Sequence, residues 1–578
     1  YNSTPRILTL TSNATLLRTG AGNSAFFDHL VNAGTVTVNG GTLNASGNFT
    51  NSAGGNVTVS NGAIFSQTGT FTNATGATAL VSGTGSKLTI ANVSNAGSLL
   101  ADSAGLLSLT GNFTTAGLGS ITLANGGTVE LAANSTLHNA RANLLPPTGG
   151  AYLFNGTISG GTIAASALAQ SAGTLDNGAT IAGNLAVVTG QSLTLKNGGG
   201  WTGTATIGTP GQNNGFLYLG TDTTLDSALV FTGSNSLLTY NSSPRILTLT
   251  SNATLLRTGA GNSTFFDHLV NAGTVTVNGG TLNASGNFTN SAGGNVTVSN
   301  GAIFSQTGAF TNSAGATALV TGASSALAIA NVTNSGTLLA DLGGLLSLTG
   351  SFSTANLGSI TLTNGGTVEL ATNSTLNNTS ANLLPATGGA FVFKGTISGG
   401  TIDPTALLQN SGTLDNGATL TGNLSVANGQ SLTLKNGGGG TGTSTVGVAG
   451  FIDVASKIGI PGHDNDFGIT LGKAGAAEGS YLVLPFAGPL PPRDLLGTGV
   501  DIAFDPLTYA RFHGSDTWMV VRFGLGVLDS RASQLDAVET IERSSIDFYA
   551  TSRNLYRQSR NAKINEGKAG GTDDLPNL

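Results

Sequence analysis

The stretch Leu30–Gly55 reads LVNAGTVTVNGGTLNASGNFTNSAGG, and its rhythm decides the fold. Within it, Thr35–Val38 (TVTV) alternates polar and apolar residues, which is the period of a β-strand. NGG follows at once and supplies residues that tolerate the positive φ of a sharp turn. Then the phrase begins again. LVNAG, FTNSAG, FTNATG, VSNAG and FTTAG start at Leu30, Phe49, Phe71, Val93 and Phe113, at spacings of 19, 22, 22 and 20 residues. Further alternating runs, such as Asn56–Val59 and Ser120–Leu123, lie between these anchors. A unit of about 21 residues with two or three short strands is one coil of a β-helix. One coil cannot bury its apolar face alone; stacked coils can, because like residues superpose. Leu30, Phe49, Phe71, Val93 and Phe113 are therefore expected to form an internal ladder. Asn32, Asn51, Asn73 and Asn95 should stack at the adjoining turn and hydrogen-bond along it. Short strands and glycine turns also suit a β-sandwich or a series of small β domains, but the phased anchors favour the solenoid.

The rhythm is itself repeated on a longer scale. YNSTPRILTLTSNATLLRTGAGNSAFF from Tyr1 returns as YNSSPRILTLTSNATLLRTGAGNSTFF from Tyr240, and the match runs to LTLKNGGG near Gly440. The anchors recur at Leu269, Phe288, Phe310, Val332 and Phe352. The expected fold class is mainly β: a long β-helix (β-solenoid) from two near-identical 239-residue copies, followed by a small α-helical C-terminal domain. The expected domains are 1–239, 240–443 and 444–578. Roughly 21 coils at about 4.8 Å each would make a rod about 100 Å long. Exposed turn residues match as closely as core ones, which folding does not require, so recent duplication of the DNA explains the near-identity. The chain begins in register with Tyr240, an interior position of the repeat, which predicts further residues upstream.

Composition separates the two regions. From Ser444 onward lie 12 of the 21 Lys+Arg and 16 of the 27 Asp+Glu, so the repeats are almost uncharged. A net charge of -6 without a basic patch lacks the phosphate-neutralising footprint of a nucleic-acid binder. The absence of cysteine excludes disulfides, thiolate metal sites, thiol catalysis and lipidation of cysteine in this sequence. No apolar run reaches the length of a membrane-spanning helix.

The region after Ser444 reads differently. Val521, Leu525, Leu528, Ala532, Leu535, Val538 and Ile541 recur every three or four positions, predicting one apolar helix face, with Glu539 and Arg543 paired off it. Ser545 is placed to cap a second helix, with Asp547 in its first turn, and Arg553, Arg557, Arg560 and Lys563 crowd its end, where the helix dipole favours cations. Another helix is expected from about Arg493 to Phe504, stopping at Pro506, and Tyr481–Pro492 should form a rigid extended elbow.

Several phrases stand in a set order here. STVGVAGFIDVASKIGIP runs from Ser444, then come Asp466, Phe467, Gly468 and Gly472 of a DFGxTLG pattern. Gly479, Tyr481, Leu482, Leu484, Pro485, Gly488 and Pro489 belong to GSYLVLPFAGP, and Arg493 with Asp494 follows. SSIDFYATSRNLYRQSR closes the series with Ser545, Asp547, Tyr549, Arg553 and Tyr556. Together they resemble the C-terminal half of the VacJ/MlaA family, outer-membrane lipoproteins of Gram-negative bacteria. That resemblance implies a phospholipid-transport function. It implies amphipathic helices in the periplasmic leaflet of the outer membrane, around a polar-lined passage that withdraws misplaced outer-leaflet phospholipid. Porins and periplasmic lipid carriers are the implied partners, with no covalent chemistry and no cofactor. Arg553, Arg557 and Arg560 could meet lipid headgroups or simply solvate a helix end. Trp518 suits a membrane interface and a core equally. The sequence departs from the family in two ways: β-helical sequence stands in place of its N-terminal half, with the lipid-bearing cysteine, and Ile469 stands where Gln is usual.

The repeats resemble, in style, the β-helical passenger regions of autotransporters and filamentous-haemagglutinin-like adhesins. A competing reading is therefore an exported adhesin or surface scaffold, cell-surface or secreted, whose tail is a remnant. A third reading joins the two regions by recombination or sequence assembly, with neither working as such. Enzyme chemistry is not expected. His463, Asp464 and Asp466 form a compact polar cluster, but Gly468, Ile469 and Gly475 break calcium-loop spacing. Asp28-His29 and Asp267-His268 lack a partnered nucleophile motif, and Gly20-Ala21-Gly22 reads as a turn.

Overall fold

The computed structural model describes residues 5–239 and 243–441, save for 423, 427–429 and 437. Beyond them it describes the strands Ser444–Val446, Phe451–Val454, Ser480–Phe486 and Thr517–Phe523. The chain divides into two compact units. One comprises Tyr1–Gly308 with Gly315–Ala318, the other Ala309–Ala314 with Leu319–Leu578. The described residues are mainly β, a solenoid of about 19 turns with almost no helix. Some coils are longer than the 21 residues expected: Ala228 pairs with Thr204 and with Thr254, 24 and 26 positions away.

In the first unit every strand pairing is parallel, coil upon coil. Leu30 stands over Phe49 and Phe49 over Phe71, one residue per rung, as the anchor phrases require. Thr15–Arg18, Thr35–Val38, Asn56–Val59, Thr78–Ser82, Ser98–Asp102 and Ser120–Leu123 form a six-stranded second face. Alternation does the sorting: Val36 and Val38 are fully buried, whereas Thr35 and Thr37 are not. The anchors Leu30, Phe49, Phe71, Val93 and Phe113 are all buried. Phe49 meets Phe71 edge-on with ring centroids 5.3 Å apart, and Phe65 fills the next position at 5.8 Å.

The asparagine ladder forms as expected. Asn32 Nδ2 donates to Asn51 Oδ1, Asn51 to Asn73 and Asn73 to Asn95, each at 2.8 Å. All four side chains are buried, so each amide must find its partners within the protein. The ladder stops where the phrase FTTAG puts Thr115 in the asparagine position. There Asn95 Nδ2 turns to the carbonyls of Leu118 and Ser120, at 2.8 and 3.0 Å. The chain makes one short helical turn, Thr115–Leu118, capped by Thr114 Oγ1 accepting from Gly117 N at 3.0 Å. The second copy's coils in this unit repeat the bond from Asn271 to Asn290 at 2.8 Å.

The second unit is built by the same rules. Ala326–Asn334, Leu345–Ser353 and Thr367–Asn377 stack in parallel register, and Phe391–Phe393, Thr396–Ser398 and Thr413–Asp415 continue the stack. Phe310, Val332 and Phe352 are buried anchors, and Asn312 Nδ2 donates to Asn334 Oδ1 at 2.8 Å. Turns use the αL residues the sequence offers: Asn364 and Gly365 sit at φ 45° and 79°.

Removing one rung should unsettle its neighbours. Asn73→Ala leaves Asn51 Nδ2 without its side-chain acceptor and Asn95 Oδ1 without its donor. The expected loss is about 1–3 kcal/mol, measured by urea denaturation of the full chain. Thr37→Ala, on the outer face, should fall within about 0.5 kcal/mol.

Candidate functional site

The parallel ladder of the second unit does not stop where composition changes. Ser444–Val446 pairs with Leu424–Val426, and Phe451–Val454 pairs with Ser431–Leu434. Ser480–Phe486 then lies parallel to Phe451–Val454, with Tyr481 opposite Phe451 and Leu482 opposite Ile452. Thr517–Phe523 runs antiparallel to it, placing Leu484 opposite Met519 and Pro485 opposite Trp518. Both segments, SYLVLPF and TWMVVRF, are rich in the β-branched and aromatic residues that fit a pleated surface.

Of the candidate positions, Tyr481, Leu482, Leu484 and Pro485 are thus brought onto one strand. The stretch expected to be an extended elbow is extended over Ser480–Phe486, where it is also a paired strand. One expectation is corrected: the apolar helix face was to begin at Val521, but Val521 belongs to the strand Thr517–Phe523. Adjacent Val520 and Val521 restrict χ1 and favour extended backbone. Leu525 to Ile541, and the helices expected near Arg493 and Ser545, lie outside the described residues. So do Asp466, Phe467, Gly468, Gly472, Gly479, Gly488, Pro489, Arg493, Asp494, Ser545, Asp547, Tyr549, Arg553, Tyr556, Arg557 and Arg560. The His463–Asp466 cluster lies there too.

Within the solenoid, the Asp-His pairs serve the stacking of coils. Asp28 Oδ1 accepts from Arg6 N at 2.9 Å and His29 Nδ1 from Asn48 N at 2.8 Å. Asp267 and His268 make the matching bonds to Arg245 N and Asn287 N, at 2.7 and 2.8 Å. Outward carboxylates are likewise engaged. Asp102 accepts from Asn125 Nδ2 at 2.8 Å and Ser103 Oγ at 3.0 Å, which together hold its pKa below the usual range. Among the described residues, no group of three or more His, Cys, Asp or Glu could hold a metal ion. Among them, no helix is long and apolar enough to cross a membrane.

Sequence reading missed Arg257, which is fully buried in the core of the first unit. Its Nη2 donates to the carbonyls of Ala260 and Gly261 at 3.0 and 2.7 Å, and Nη1 donates to Phe231 O at 3.2 Å and to Thr258 O. Burial pushes its pKa down. A signal existed: in Thr254–Arg257, alternation puts Arg257 on the same inward side as Leu255. The glycine turn at Gly259–Gly261 curls around the guanidinium. Gly280 from the next coil approaches so closely that a Cβ there would collide with Gly261 O and with Arg257 Nη2.

The described geometry therefore defines a parallel β-solenoid whose ladder continues through Phe451–Val454 and Ser480–Phe486 of the compositionally distinct tail. Residues 440–563 match the family of MlaA lipoproteins. Over 124 residues the chain is 38% identical to the intermembrane phospholipid transport system lipoprotein MlaA of Haemophilus influenzae, covering 21% of this chain and 48% of that protein. Over 122 residues it is 31% identical to an uncharacterized protein of Rickettsia prowazekii, covering 21% and 47%. The chain thus spans about half the length of these curated relatives. Among solved structures, the TibC-catalyzed hyper-glycosylated TibA fragment aligns at 16% identity over 65% of this chain and 98% of that one. Its TM-score of 0.15 is too low to inform the fold.

The continuity of the ladder is testable. Val483→Pro removes a backbone donor from a strand paired on both sides, where proline is not tolerated. Hydrogen exchange at Phe451–Val454 should accelerate more than tenfold, with no change at Phe49–Asn51.

Proposed function

We propose that this chain takes part in phospholipid transport at the outer membrane, carrying out retrograde removal of outer-leaflet phospholipid and so maintaining lipid asymmetry. Its solenoid is an N-terminal extension to that activity. The observation that carries this reading is the MlaA match over residues 440–563, supported by 38% identity to a phospholipid-transport lipoprotein. The reading places the chain at the periplasmic face of the outer membrane, with phospholipid as cargo and porins and periplasmic lipid carriers as partners. It is a transfer protein, not an enzyme. Moving a phospholipid requires an apolar surface for the acyl chains and a wet path for the headgroup. The apolar residues that recur every three or four positions from Leu525 to Ile541 are the ones assigned to the acyl chains. Arg553, Arg557 and Arg560 are the residues assigned to the phosphate. Domain boundaries at 239/240 and 443/444 belong to the same proposal.

A second reading, an exported β-helical adhesin or surface scaffold with a lipoprotein remnant, is favoured by the share of the chain that is solenoid. One experiment separates the two. The full chain is expressed in a Gram-negative strain lacking its own MlaA, and detergent-plus-chelator sensitivity is scored. Restored resistance is expected, and Arg553→Glu with Arg557→Glu should abolish it at unchanged protein level. No rescue, together with cleavage of the solenoid by protease added to intact cells, would instead establish the scaffold reading.

A further inference from the structure

The coils that join the first copy to the second carry a cluster of ionisable groups. Thr223–Leu225 stacks on Ile246–Leu249, and Ile246–Leu249 stacks on His268–Asn271. Asp222 Oδ1 accepts from Ile246 N at 3.0 Å. One coil further, Asp267 Oδ1 accepts from Arg245 N at 2.7 Å. Asp267 is only 1% exposed, and among the described residues its Oδ2 has no hydrogen-bond partner. The Nε of Arg245 is buried without a partner as well. A carboxylate so placed is stable only where something offsets its lost hydration.

The cover comes from the coil before: Leu247 pairs with Thr223 and is fully buried. Burial is the main influence on Asp267 and pushes its pKa up, to about 6. The Arg245 N–H and guanidinium oppose that rise, and the charge of Asp222 adds to it. On the following coil, Gly286 and Asn287 pack nearest and bring no titratable group, and His268 is held at Nδ1 by Asn287 N.

We propose that the seam between the two copies is a pH-responsive joint switched by Asp267: neutral, it lets the coils around Ile246–Leu249 stay stacked, and ionised, it favours their local opening. The sign follows from linkage. The carboxyl ionises near 3.8 when the seam is open and near 6 when it is closed, so closure favours the protonated form. The stabilisation is complete below about 3.8 and is lost as pH rises through about 6. A solenoid carrying such a seam would be stiffer in mildly acidic surroundings than at neutral pH.

Hydrogen exchange on the full chain tests this. After correction for intrinsic rates, opening at Ile246–Leu249 and His268–Asn271 should be about tenfold greater at pH 7.5 than at pH 5. Asp267→Asn keeps the acceptor for Arg245 N and should abolish the difference. Asp222→Asn removes a like charge and should move the midpoint to lower pH. Equal opening of the wild-type seam at both pH values would overturn the proposal. So would a tenfold change that persists in Asp267→Asn, since another group would then be the switch.

Discussion

Everything in the solenoid depends on like stacking upon like at one strand spacing. Each coil satisfies its backbone donors and acceptors only through the coils above and below, so a coil has no stable existence alone. That requirement selects residues whose side chains also gain from a copy of themselves directly overhead. Phenylalanine does so through ring contacts between Phe49 and Phe71, and asparagine does so by donating to the next asparagine at 2.8 Å. A charged residue cannot, since like charges one rung apart repel, which explains why the repeats are so poor in Lys, Arg, Asp and Glu.

At Glu130 and Glu369 the charge is neutralised locally. Glu130 accepts from Ser108 and lies 3.7 Å from Lys87, on the coils before it. In the second copy, Ala326 stands in the place of Lys87. Glu369 is served instead by Ser347 and by Lys394 at 2.8 Å, and Lys394 stands in the place of Asn155 on the following coil. The partner has moved from one side of the glutamate to the other while the glutamate stayed. The pairs are part-exposed and contribute under about 1 kcal/mol each. Arg257 shows the alternative device, a buried cation that among the described residues pairs with no carboxylate and is held by backbone carbonyls from its own turn and from the coil above.

Past the end of the repeat the first pairings stay parallel. In the first copy Trp201 fills the core and donates from Nε1 to Ala228 O at 2.9 Å, linking its coil to the next. Gly440 holds the matching position in the second copy, and the likeness fades over the residues that follow, Thr441–Gly447 still tracking Thr202–Gly208. Rungs after it are laid by Phe451–Val454 and Ser480–Phe486, inside the segment that matches the MlaA lipoproteins, and the antiparallel strand Thr517–Phe523 follows.

How far the sequence was legible depended on period. Anchors every 19 to 22 residues and alternation within TVTV told which side chains face inward, because the strand period and the coil period are both set by local backbone geometry. The asparagine ladder could be read for the same reason. Motif order in the tail pointed to a family, yet of its positions only Tyr481, Leu482, Leu484 and Pro485 fall on a described element, and Val521 proved to be strand where periodicity suggested helix. Short apolar runs carry both periods at once, and pairing with a neighbouring strand decides between them. By itself, then, the sequence determined a stacked β architecture with a phased core, since those follow from spacing alone. Only the tertiary structure decided that Asp267 and Arg257 are sealed and where the ladder continues, because burial is a property of what lies overhead.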